Sequence, residues 1–74
     1  MIELDLKGLQ CPLPVLRANK AIRGLAPGTQ IKILVTDANA PADFQSFCRT
    51  AGHDFLESID DGDLISVVIR TNAK

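Results

Sequence analysis

Gly8-Leu9-Gln10-Cys11-Pro12-Leu13-Pro14 decides the fold, because it separates a strand from a helix. Upstream, Ile2, Leu4 and Leu6 alternate with Glu3 and Asp5, the period-two pattern of a strand with one buried face, ending near Lys7. Downstream, Pro14, Val15, Ala18, Ala21, Ile22 and Leu25 share one broad face at the helical angle of about 100° per residue. Between them Gly8 marks a turn at which a positive φ is expected. Proline suits the first helical turn, where its missing N–H has no intrahelical partner, so Pro12 and Pro14 fit the first three helical positions. Cys11 then falls at or beside the N-cap.

A thiol at a helix start feels the positive end of the helix dipole and can accept a hydrogen bond from a first-turn amide. Both effects hold its pKa below that of an ordinary thiol, which predicts a nucleophile at neutral pH. Because Pro14 cannot donate, the amide of Leu13 is the expected backbone donor to the sulfur. The opposite side of this helix presents Leu13, Leu16, Arg17, Lys20 and Arg23. Beside a nucleophile, leucines ringed by basic groups read as a docking surface for an acidic or amphipathic partner. The competing reading is a solvated basic face with scattered leucines.

Ala26-Pro27-Gly28-Thr29 turns the chain into Gln30 to Thr36, a β-branched run with Ile31, Ile33 and Val35 on one side. Strand, helix and strand in succession imply a right-handed crossover between parallel strands. After the loop Asp37 to Ala40, Pro41 opens a second helix, with Ala40, Phe44, Phe47, Cys48 and Ala51 in one stripe and Gly52 as its stop. Cys48 reads as a small core hydrophobe, and His53 as a helix-end or surface residue. Asp54 to Ile59 and Leu64 to Thr71, joined by Asp60-Asp61-Gly62-Asp63, form a hairpin with an Asp-Gly turn. The acidic cluster lacks the spacing of a calcium loop.

The order is therefore β-α-β-α-β-β, an α/β (α+β) two-layer sandwich with helices covering one side of the sheet. The 74 residues make a single domain, 1–74, near the size at which folding buries only about 60% of the accessible surface. A deep enclosed active site has no room. The apolar runs are too short to span a bilayer, and the N-terminus lacks the basic-then-apolar pattern of a leader, so cytoplasmic residence is expected. Cysteines at 11 and 48 match no Cys-x-x-Cys or zinc-knuckle spacing, and in a reducing cytosol both are expected free. One histidine and two such cysteines do not make a zinc site without acidic help. No metal or cofactor is expected. Net charge is −1, yet residues 1–25 hold four cations against two carboxylates, so the basic bias lies around Cys11.

The run Asp5-Leu6-Lys7-Gly8-Leu9-Gln10-Cys11-Pro12-Leu13-Pro14 resembles the signature of the TusA/SirA family of small sulfur-carrier proteins. The likeness continues through the first helix, Asp37, Asp43, Gly52-His53 and the final hairpin. It implies a βαβαββ fold with a four-stranded mixed sheet and both helices on one face. It further implies that Cys11 accepts sulfane sulfur as a persulfide from a cysteine desulfurase or rhodanese-like donor and passes it to a downstream acceptor protein. Such a carrier acts as a sulfurtransferase only with its partners, in relays that serve tRNA thiolation, molybdenum-cofactor supply or sulfur oxidation. Asp5 and Gly8 match motif positions that shape the turn before Cys11, and Arg17 and Lys20 fall where members carry basic residues near the partner-binding surface.

Three other classes compete. A nucleic-acid-binding module would use Arg17, Lys20 and Arg23, but no aromatics interleave with them and the chain is slightly acidic, so direct nucleic-acid binding is not expected. A thiol redox sensor would pair Cys11 with Cys48 as resolving thiol. A regulatory interaction protein would keep its effect without the thiol.

Overall fold

The computed structural model describes residues 2–10 and 12–72; Cys11, the centre of the sequence reading, lies outside them. The elements are β1 (Ile2–Asp5), α1 (Leu13–Ile22), β2 (Gln30–Val35), α2 (Ala40–Ala51), β3 (Asp54–Asp60) and β4 (Ile65–Arg70). They form one mixed sheet in the order β1-β2-β4-β3. β1 and β2 run parallel, and the other two pairings are antiparallel. The expected βαβαββ order and the single helical layer are both present.

The core follows from two periodicities meeting. β2 and β4 are the inner strands, and their register sets Ile31 opposite Ile69, Ile33 opposite Val67 and Val35 opposite Ile65. These six side chains, together with Leu6 after β1, Ala18 and Ile22 of α1 and Ala40, Phe44 and Cys48 of α2, make the buried cluster. Phe44, Ile31 and Ile33 are its largest fully buried members. On α1 the buried stripe is Pro14, Ala18 and Ile22, the i, i+4, i+8 row that the apolar pattern predicts.

Three boundaries differ from the sequence reading. β1 stops at Asp5, and Ile2 on it is 40% exposed, because β1 is an outer strand of the sheet. Helix α1 stops at Ile22; Gly24 and Pro27 follow too closely for another turn, though Leu25 still packs on the core. The hairpin loop is 61–64, closed by Asp61 N–H to the Leu64 carbonyl at 2.9 Å, with Gly62 at φ 93°. The register also shifts between Phe55 and Glu57, a β-bulge that makes Leu56 the extra residue.

Candidate functional site at the helix starts

β1 and β2, being parallel, end on the same side of the molecule, and each leads into a helix. The two helix starts therefore share one end with the chain on either side of position 11. Leu6 N–H continues the parallel ladder to the Leu34 carbonyl at 2.8 Å. Asp5 then shapes the exit. Its carboxylate accepts the Lys7 amide at 3.2 Å and pairs with Lys7 Nζ at 3.7 Å, both side chains largely exposed. Gly8 takes φ 84°, a left-handed conformation that L side chains rarely adopt. Its amide donates to Thr36 Oγ1 at 2.9 Å, which ties the turn before α1 to the end of β2.

Helix α1 begins at Leu13 with Pro12 as N-cap and Pro14 in the first turn. No side chain caps it and its first turn holds no carboxylate. The amide of Leu13, expected to be available to the sulfur, instead donates to the Gln10 carbonyl at 2.8 Å. A carbonyl three residues upstream takes that donor. Helix α2 starts alongside, with Asp37 Oδ1 accepting the Asn39 amide at 2.9 Å and Asp43 in its first turn.

Residues 8–10 and 36–39 bound a polar, open concavity of about 560 Å³ between these two starts. A shallower apolar groove runs beside it between the helices, lined by Pro12, Val15, Phe47 and Asp43 among others. On the outer side of α1, Leu13 is 44% and Leu16 57% exposed, and Arg17, Lys20 and Arg23 are exposed with them. Pro14, by contrast, is buried under the helix. The structure thus gathers Gly8, Pro12 and the α1 face at one corner, with Asp5 at the strand end leading into it.

Cys48 is fully inside, and burial first, then the Asp54 carboxylate, push its thiol up to about 11. It stays protonated at neutral pH. That makes it a poor resolving thiol, as its place among the phenylalanines predicts. His53 lies at the other end of α2. Its Nδ1 accepts the Asn72 amide at 3.1 Å, and its ring lies 5.5 Å from that of Phe47. It is a structural link. Among the described residues no cluster of His, Cys, Asp and Glu could hold a metal ion, and no helix is long and apolar enough to cross a membrane.

Two contributors were missed in the sequence. Thr36 looked like the outward end of β2, and its bond to Gly8 spans 28 residues, so no local pattern signals it. Thr71 is buried and bonds to the loop after α1 through both hydroxyl and backbone; a hydroxyl at a strand end carries no such message by itself.

A two-layer α+β domain with both helix starts gathered at one end of a mixed sheet defines the class. The crystal structure of a SirA-like protein from Desulfitobacterium hafniense has the same fold, with a TM-score of 0.84 and 31% identity, covering 99% of this chain and 100% of that one. The profile of the family described as Sulfurtransferase TusA matches residues 2–71. A candidate sulfur carrier protein of Neisseria meningitidis serogroup A is 42% identical over 67 residues, 90% of either chain. The sulfur carrier protein TusA of Allochromatium vinosum is 35% identical over 68 residues, 92% of this chain and 90% of that one. This chain belongs to the TusA family.

Proposed function

We propose that this protein is a sulfur carrier that holds sulfane sulfur as a persulfide on Cys11. The observation that carries the reading is the start of α1, directly after position 11 in the chain: a helix with no side-chain cap and no acidic residue in its first turn. Its positive end is left without a counter-charge of its own, and a thiol beside such an end is shifted toward thiolate. The relatives' names support the carrier role.

Loading is a thiol–persulfide exchange. The Cys11 thiolate attacks the outer sulfur of a donor persulfide, the donor's S–S bond breaks, and the donor cysteine leaves as thiolate. Unloading repeats the step with an acceptor thiolate attacking the outer sulfur on Cys11. Nothing is oxidised or reduced overall. The carrier needs a nucleophilic, reachable thiol and a surface to dock on, and no enclosed pocket. A cysteine desulfurase or a rhodanese-type protein is the donor class. Leu13, Leu16, Arg17, Lys20 and Arg23 form the docking surface, and Asp5, Gly8, Pro12 and Pro14 set the turn that presents the thiol.

Intact mass before and after incubation with a cysteine desulfurase and cysteine tests the reading, with thiosulfate and a rhodanese as the second donor system. A reductant-labile gain of one sulfur that persists in Cys48→Ser and vanishes in Cys11→Ser is expected. Cys11 left unmodified by both systems would overturn it.

A further inference from the structure

Large apolar side chains are exposed at five described positions: Ile2, Leu13, Leu16, Leu56 and Ile59. Four of them fall in two pairs of opposite electrostatic setting. Leu13 and Leu16 stand on a segment, 13–23, that carries three cations and no carboxylate. Leu56, 42% exposed, and Ile59, 54% exposed, stand on a segment, 54–63, that carries five carboxylates and no cation. Of these charges only Asp54 is in an ion pair among the described residues, with Arg70 at 2.8 Å. The rest form no ion pair among the described residues, and of them Asp60 Oδ1 accepts the Gly62 amide at 2.8 Å.

The two patches cannot meet within one molecule. Register places Glu57 opposite Val68 and Ile59 opposite Ser66. Val68 is buried yet stands apart from the helix-side core, so this row lies on the uncovered face of the sheet. The α1 patch lies on the helical side. The bulge at Leu56 adds a further aliphatic group at that edge.

We propose that the acidic, aliphatic β3 surface docks the basic, leucine-bearing α1 face of a second copy of this chain. The contact is heterologous, so it joins copies head to tail. Opposite charges steer the encounter while the paired aliphatic groups supply the buried area. Each patch is a fraction of the roughly 800 Å² per partner of a stable interface, so the contact is weak and depends on concentration. It also covers the α1 face next to position 11. This inference concerns the reduced protein and does not depend on sulfur chemistry.

The test is weight-average mass by sedimentation equilibrium on reduced Cys11→Ser protein, which removes persulfide and Cys11 disulfide formation. At about 1 mM protein and about 0.01 M salt a mass about 1.5-fold above the 8.0 kDa monomer is expected, falling back at about 1 M salt, where the Debye length is about 3 Å. In the same background, Arg17→Glu with Lys20→Glu, and separately Glu57→Lys, at a position on the uncovered face opposite Val68, should each remain monomeric. Mixing the two reversed proteins should restore association, because each then offers the complement of the other. A monomeric mass under all conditions, association that survives either reversal alone, or a mixture that stays monomeric would overturn the proposal. The mixture also guards against misfolding, since an unfolded variant could not restore a specific contact.

Discussion

The two ends of the helical layer are built for different tasks. Where the helices finish, the chain is tied down repeatedly. Thr71 Oγ1 donates to the Ala26 carbonyl at 2.9 Å and accepts the Thr29 amide at 3.2 Å, while its backbone bonds to Thr29 and Gly28. Asn72 links to Gly52 and to His53. Where the helices start, described cross-chain ties include the Gly8 bond to Thr36 and the Leu6 bond to Leu34, and an open polar concavity lies between. The long-range ties gather where the helices finish, and the open concavity lies where they start, the end on which the proposed carrier function places the thiol.

The sharpest way to break this contrast is a pair of substitutions. Cys11→Ser should abolish sulfur acceptance and leave the urea midpoint unchanged. Thr71→Val should do the reverse, removing a buried hydroxyl that serves two backbone groups at a cost of about 1–3 kcal/mol, with acceptance per folded molecule unchanged. Urea titration and the mass assay read the two quantities separately. A Thr71→Val protein that folds but fails to accept sulfur would show that the ends are coupled.

A smaller effect is expected from Gly8→Ala. A Cβ there meets no atom within 4 Å, so the cost is conformational, about 1 kcal/mol from φ 84°. Because the same turn leads into the thiol, the alkylation rate of Cys11 with iodoacetamide should also change. Unchanged reactivity would confine Gly8 to stability.

Cys48 sharpens the contrast from the other side. Its folded pKa is raised from 9.0 to about 11, so the unfolded chain ionises first as pH rises. The stability contribution is whole below pH 9.0 and is lost progressively toward about 11. Urea midpoints measured across that window should fall more steeply for the parent than for Cys48→Ala. In the native protein at neutral pH, iodoacetamide should label Cys11, with a pH midpoint below that of a free thiol, and leave Cys48 untouched.

Much was legible because it is local. Alternation in Gln30 to Val35 and the i, i+4 rows of both helices name the buried faces, since a side chain's direction follows from its place in a regular element. Pro12 and Pro14 locate the start of α1, and Gly52 at φ 84° closes α2, because each residue type restricts its own backbone. The same locality placed Cys48 in the core and the basic groups on the outer side of α1. The resemblance that pointed to the TusA family likewise rests on neighbouring residues, and the family match over residues 2–71 bears out the membership.

What only the tertiary structure decided depends on residues far apart in the chain. Thr36 meets Gly8, and Thr71 meets Ala26 across 45 positions, because strand pairing brings those loops together. The Leu13 amide goes to the Gln10 carbonyl rather than staying open. The register of β3 on β4 sends Glu57 and Ile59 to the sheet face away from the helices, opposite the side that carries the basic α1 face. Composition alone determines the charges on this protein, and the packing of a mixed sheet under one helical layer determines which of them can meet a neighbour.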